Sequence, residues 1–332
     1  MNFSNHAQWQ LFQLHQLKQA TLALLLIAAS HSSFAQTKPT ITSNQATPIS
    51  STATTTATSK VEDILIRNHT CSNSLSVRSQ ALKPQQEQAI CQQLGQLEAQ
   101  FHERFAGKGK QLKPVLHDSN ASLRANIYRD QASFAQYAGT HFNMPTNNGG
   151  MYLEGLPEQT GNHAEFVAYQ RAQGQVHNLG HEYIHYLDGR FNLYGDFCAT
   201  LHDSHSPPEN CPLPSPDAPY LVWWTEGIAE YMAHGQHHPN AQKVAKQKSY
   251  SLSQLFETAY EKNNDSARIY TWGYLATRYM MEQQRDKIDA MLKLTRNGDY
   301  PRYQALIRTW GTSLDADFAL WLEKVGVEGD KL

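Results

Sequence analysis

Residues 181–197 read His-Glu-Tyr-Ile-His-Tyr-Leu-Asp-Gly-Arg-Phe-Asn-Leu-Tyr-Gly-Asp-Phe, and the first five decide how the rest of the chain is read. On a helix, residues four apart stand one above the other about 6 Å along the axis. The imidazoles of His181 and His185 can therefore converge on one zinc ion, with Glu182 beside them to take a proton from water that the ion activates. The alternative is a surface helix carrying two solvated histidines.

A catalytic zinc requires three protein ligands and one open position, so a third donor must follow. An extended motif with a histidine at position 191 is excluded, because Asp188 and Phe191 stand where Gly and His would be needed. A carboxylate on a second helix is the other solution. Trp223-Trp224-Thr225-Glu226-Gly227-Ile228-Ala229-Glu230-Tyr231 supplies two, one turn apart. Glu226 is the expected ligand, and Glu230 the carboxylate that hydrogen-bonds a ligand imidazole from outside. Between His185 and Glu226 lies a long excursion containing Cys198, Cys211 and Pro207-Pro208-Glu209-Asn210. A local disulfide would tie it off, with a stabilisation on the order of 3 kcal/mol. His202, Asp203 and His205 on this excursion are further donors, although a loop positions ligands less well than a helix does.

Further outward, Pro84 opens a helical pattern of Ile90, Leu94, Leu97, Phe101 and Phe105 that Gly107 stops. Leu112–His117 and the alternating Leu123, Ala125 and Ile127 are expected to be short strands on either side of Asp118-Ser119-Asn120. Asp130 can cap a helix bearing Phe134, Tyr137, Ala138 and Phe142. Asn147-Asn148-Gly149-Gly150 introduces a strand at Met151–Glu154, and Glu165–Arg171 supplies another. Beyond Ser251 the pattern is helical, ending in a helix with Phe318, Leu320 and Leu322. The expectation is an α+β fold with a small mixed sheet packed on helices.

The first 35 residues read as a secretory leader: Lys18 is their only charge, and the apolar block Ala20–Ala29 is followed by Ser33-Phe34-Ala35, a small-x-small cleavage site. Residues 36–60, rich in Thr, Ser and Ala, cannot offset their ordering entropy and read as a disordered tether, so the folded part should span 61–332. The four cysteines are an even set suited to an oxidising compartment, and sequence neighbours suggest Cys71–Cys91 and Cys198–Cys211. The absence of any C-x-x-C pair argues against a cysteine zinc cluster.

The chain has 332 residues, 40% of them hydrophobic, enough for a full core. Its 28 basic against 30 acidic side chains leave no broad positive field, so nucleic acid is not an expected partner. No apolar run is long enough for a membrane span in the mature form.

Asn147–Gly155, His181–Phe197, Trp223–Tyr231 and Arg268–Ala276 together resemble the peptidase domain of microbial collagenases, especially the Vibrio-type members, in that family's order across about residues 110–325. The resemblance implies a gluzincin-like domain: an upper mixed-sheet and helix lobe over about 61–190, a lower helical lobe over about 191–332, and zinc between them. It implies His181, His185 and Glu226 as zinc ligands, Glu182 as general base, and Glu154 as a ligand of a structural calcium together with loop carbonyls. Gly149 and Gly150 match the edge that pairs with substrate backbone. Tyr270 falls where the family has a phenol for the oxyanion, with Tyr274 one turn away as the alternative and core packing as the other role for either. Large family members carry an activator lobe and collagen-binding modules that are not evident here.

The expected function is therefore that of a secreted or periplasmic zinc endopeptidase, acting as a monomer on extended or denatured collagen (gelatin) or other polypeptides. A catalytically silent polypeptide-binding module and an aminopeptidase are the alternatives. The first conflicts with the intact His181, Glu182, His185 and Glu226; the second needs an acidic anchor for a free amine, which the sequence does not reveal.

Overall fold

Pro84 at the first position of its helix and Gly107, with φ of +96°, beyond its end bound one of the longest elements in a computed structural model that describes residues 59–328 except 206, 208, 209, 263 and 264. Residues 1–35, expected to be a leader, and residues 36–58, expected to belong to a tether, lie outside the described residues.

The described chain begins with a short helix α1 (Val61–Ile64), then β1 (Arg67–Thr70) and β2 (Leu75–Ser79), an antiparallel pair. Helix α2 (Pro84–Ala106) follows, tied by the Cys71–Cys91 disulfide to the β1–β2 turn. Next come β3 (Leu123–Tyr128), α3 (Gln131–Phe142), β4 (Met151–Leu153) and β5 (Ala164–Tyr169). The strands form one five-stranded mixed sheet in the order β1-β2-β3-β5-β4, parallel at β2–β3 and β3–β5 and antiparallel at both edges. Side chains alternate across it as the pleat requires. Phe166 and Ala168 of β5 join the core with Leu94 and Phe101 of α2, whereas Val167 and Tyr169 face Phe134 and Ala138 of α3. As expected, the Asp130 carboxylate caps α3, accepting the Ser133 N–H at 2.7 Å.

One strand expectation changes, and two strands are added. Leu112–His117 is not a strand: Pro114 has no N–H to give a ladder, and the Val115 N–H is donated to the carbonyl of Arg190 near the end of the later helix Leu179–Asn192. The segment straps that helix instead. In its place β1 and β2 complete the sheet. Arg67-Asn68-His69-Thr70 carries no large apolar side chain and so gives no strand signal by itself, but Leu75 and Val77 alternate and are both buried.

The rest is helical: α4 (Leu179–Asn192), α5 (Val222–His234), α6 (Pro239–Ala245), α7 (Leu252–Leu255), α8 (Gly273–Gln283), α9 (Arg285–Thr295), α10 (Tyr300–Trp310) and α11 (Asp315–Glu328). One apolar core continues from the sheet through α4, α5 and α8 to α11. Among the described residues no helix is long and apolar enough to cross a membrane.

Polar bonds fix α5 within that core. The Trp224 indole donates to the Asp188 carboxylate of α4 at 3.1 and 3.3 Å, and the Trp223 indole donates to the Tyr303 hydroxyl at 3.0 Å. Burial pushes the Asp188 carboxyl up to about 6, against the pull of Asn192, which donates to it at 2.7 Å. Gly227 of α5 crosses Gly273 of α8 so closely that a Cβ would lie 2.4 Å from the Gly273 carbonyl oxygen and 2.2 Å from Thr277 Oγ1. Alanine at 227 would gain about 1 kcal/mol of helix propensity. The backbone clash forces the two helices apart, and overpacking of this kind costs about 1–3 kcal/mol or more. Gly227→Ala is therefore expected to lower the melting temperature by several degrees despite the better helix former; a thermal melt matching the parent would show that the close crossing is not required.

Candidate metal centre

His181 and His185 lie on successive turns of α4, their rings edge to face with centroids 4.6 Å apart and their Nε2 atoms 3.0 Å apart. Helix α5 brings the Glu226 carboxylate to the same point, with Oε2 at 3.2 Å from His181 Nε2 and 3.5 Å from His185 Nε2. Three donor atoms bound to one tetrahedral ion at ~2.0–2.1 Å stand about 3.3 Å from each other, the spacing found here. Glu226 Oε2 is buried and accepts no hydrogen bond among the described residues, a costly state unless a cation takes its lone pairs. The residues fit a zinc ion. Burial would raise the Glu226 carboxyl, but His185 and His181 outweigh it and hold it well below the carboxylate range.

Glu182 shares α4 with the two histidines and is itself buried. Burial raises its pKa, tempered by His181 and His185, the direction that suits a proton acceptor. It faces the sheet edge: a Cβ on Gly150 would lie 3.3 Å from Glu182 Oε1, and the Tyr152 main chain hydrogen-bonds the carboxylate. Gly149 has φ of +81° and packs so tightly on His177 that a Cβ would come within 2.4 Å of its Nε2. The Gly149-Gly150 pair thus leads into β4, an edge strand of the sheet, directly beside Glu182.

Glu230, one turn beyond Glu226, has Oε1 at 2.9 Å from His181 Nδ1. Its other oxygen lies 3.2 Å from His238 Nε2 and 3.3 Å from His234 Nε2. Glu230, His234 and His238 form a second group close enough to hold a metal. However, His238 Nδ1 accepts the Ala241 N–H at 3.2 Å as the cap of α6, so in the neutral ring Nε2 carries the proton and donates to Glu230. His238 braces Glu230 rather than offering a lone pair.

Tyr270 sits on a π-helical turn, Ala267–Trp272, with its ring centroid 6.0 Å from that of His181 and 37% of its surface exposed. The Glu226 charge, then burial, raises its pKa, so the phenol stays a donor. Tyr274 is fully buried and donates to the Gly235 carbonyl at 2.9 Å, which makes it a packing residue. Glu154 is buried with its carboxylate against Gly189 of α4, and its carbonyl accepts from Asn120 and Asn162. It belongs to neither group of potential metal-ligating side chains among the described residues.

The excursion between α4 and α5 is closed by the Cys198–Cys211 disulfide. Its expected donors His202, Asp203 and His205 do not belong to the His181, His185 and Glu226 group. The His202 imidazole is held between the Thr200 carbonyl and Cys211 Sγ, Asp203 accepts backbone N–H groups of residues 260–262, and exposed His205 faces Glu261. The sequence reading passed over Tyr260, whose hydroxyl donates to Glu226 Oε1 at 2.6 Å. Burial, then the Glu226 charge, raises the pKa of this phenol far above its usual range. No periodicity or motif marks Tyr260, and only the fold brings it to Glu226. His238 was missed for the same reason.

The sequence profile of the collagenase peptidases matches residues 35–321 of this chain. The chain belongs to the collagenase family of metallopeptidases. It is 39% identical over 271 residues to a microbial collagenase of Vibrio alginolyticus, covering 80% of this chain and 31% of that protein. The figures for the microbial collagenase of Vibrio vulnificus are 39% over 267 residues, 80% and 31%, and for that of Vibrio parahaemolyticus 37% over 260 residues, 77% and 29%. The chain thus spans a little under a third of the length of these curated relatives. As a collagenase-family member it carries a metalloendopeptidase scaffold, that of a peptide-bond hydrolase.

Proposed function

We propose that the chain is an exported zinc endopeptidase that cleaves extended polypeptide, gelatin-like chains among them. The observation that carries this reading is the convergence of the His181, His185 and Glu226 donors at 3.0–3.5 Å beside a buried Glu182 and an edge strand. His181, His185 and Glu226 hold the zinc, which when bound supplies Lewis acidity for the scissile carbonyl and for water. Glu182 takes the proton of the attacking water on its carboxylate and passes it to the leaving amine. The Tyr270 hydroxyl donates to the oxyanion. Glu230, braced by His238, orients the His181 imidazole.

The substrate lies along the Gly149-Gly150 edge by strand addition, so its own backbone supplies the pairing groups. Glu154, directly after β4 and against Gly189 of α4, is the side chain assigned to a structural calcium. The sheet-bearing part, about 61–190, and the helical part, about 191–332, act as upper and lower lobes. Residues 1–35 direct export and 36–60 form the tether, consistent with two disulfides. The protein acts as a monomer.

Digestion of casein, gelatin and native collagen with and without a chelator, with cut sites read by mass spectrometry, tests this. Gelatin is expected to be cleaved and chelation to abolish cleavage. Native triple-helical collagen should be cut far more slowly: its three chains crowd around one axis with Gly at every third position, and no single chain is free to pair with an edge strand. Equal rates on native collagen and gelatin below the collagen melting temperature would contradict the strand-addition reading. Hydrolysis unaffected by chelation would contradict the metallopeptidase reading.

A further inference from the structure

We infer that Tyr260 is a positioning residue for the Glu226 carboxylate, and that Asp203, inside the disulfide-closed loop Cys198–Cys211, acts on the metal site by holding Tyr260 in place. This rests on the zinc-site reading above and adds a support that reaches it from outside α4 and α5.

The two oxygens of Glu226 have different surroundings. Oε1 accepts the Tyr260 hydroxyl at 2.6 Å, while Oε2 faces His181 and His185 and accepts no hydrogen bond among the described residues. One oxygen is occupied by a neutral donor, and the other alone is left for an ion. A carboxylate held in this way binds a metal through one oxygen; without the phenol it is free to turn and offer both.

Tyr260 lies in a connection between α7 and α8 rather than in a helix, so something must fix it. Asp203 does so. Its carboxylate is buried and accepts the backbone N–H of Tyr260 at 2.7 Å, of Glu261 at 3.2 Å and of Lys262 at 2.8 Å. A carboxylate gathering three successive backbone N–H groups makes charge-assisted bonds, roughly twice as strong as neutral ones. Asp203 in turn lies between Cys198 and Cys211, and its neighbour His202 packs on Cys211. The excursion that separates the metal-binding helices in sequence thus returns to steady the third ligand.

The test uses the full chain and the variants Tyr260→Phe, Asp203→Asn and their combination. Zinc affinity is measured by chelator competition, and the visible spectrum of the Co²⁺-substituted protein reports coordination number. Tyr260→Phe keeps the ring and its packing, so it should fold; it is expected to weaken zinc binding about 10- to 100-fold, the usual cost of losing a group that orients a ligand. Its Co²⁺ bands should lose intensity as the carboxylate becomes bidentate and coordination rises. Asp203→Asn should weaken zinc in the same direction and add nothing in the Tyr260→Phe background, because it acts through Tyr260. Parental zinc affinity together with a parental Co²⁺ spectrum in Tyr260→Phe would overturn the role of Tyr260. Additive losses in the double variant would overturn the part given to Asp203. A parent that binds zinc but hydrolyses no peptide would leave this inference standing while removing the proposed function; a parent that binds no zinc would remove both.

Discussion

Glu182→Gln is expected to keep its zinc and lose about 10²- to 10⁴-fold of peptide hydrolysis. The amide has the size and shape of the carboxylate, so the packing against Gly150 and the bond from the Tyr152 main chain survive. The three metal donors are untouched, and metal content should stay at one ion per chain. What disappears is basicity. In the parent, burial lifts the Glu182 carboxyl above its ordinary value, moving it toward the pH at which it must accept a proton. A neutral amide cannot do so at any pH, and no other carboxylate can replace it: Glu226 is engaged with both imidazoles, and Glu230 lies on the far side of His181. The measurement is kcat on a gelatin-derived peptide alongside zinc content by atomic emission. Near-parental turnover in zinc-loaded protein would take Glu182 out of the mechanism.

How much of this was legible in the sequence depends on the range of the contact. His181, Glu182 and His185 share one helix, so their spacing alone puts them together, and Glu226 with Glu230 repeats the argument one helix later. The Cys198–Cys211 bridge brackets a local loop, and sequence neighbours were enough to pair it. Strand β3 declared itself through Leu123, Ala125 and Ile127. By contrast β1 is polar along its length, and its place at the sheet edge comes from pairing with β2 rather than from its own side chains. Leu112–His117 looked extended, yet Pro114 and the bond from Val115 to Arg190 made it a strap on α4. Tyr260 and His238 were invisible because hydrogen bonds from a loop or a helix cap to a distant carboxylate leave no pattern. The loop histidines and Asp203 were legible as polar residues near a candidate metal site, but which way they faced was not: Asp203 turns its carboxylate to the backbone N–H groups of 260–262.

Glu226 and Glu230 stand one turn apart on α5, and their removal should separate their roles by metal content. Glu226→Ala deletes one of three protein donors; what remains is a pair of imidazoles, with no carboxylate charge to neutralise a divalent ion. The variant is expected to leave dialysis essentially free of zinc and without peptidase activity. Glu230 cannot substitute, since its two oxygens point at His181 Nδ1 and at the His234 and His238 imidazoles, on the outer side of the ring whose Nε2 faces the metal position. Glu230→Ala leaves all three donors in place and removes the group that fixes the ring orientation and proton position of His181. The loss should then be about 10- to 100-fold in zinc affinity or activity, recoverable in part by added zinc. Both carboxylates have polar partners on their oxygens, Tyr260 and His181 for Glu226 and His181 and His238 for Glu230, and neither is a member of the apolar core, so melting of the metal-free proteins should differ little from the metal-free parent. The deciding quantity is the order of the two zinc dissociation constants. If Glu230→Ala bound zinc more weakly than Glu226→Ala, the ligand would be Glu230 and the carboxylate facing His181 and His185 would be the support.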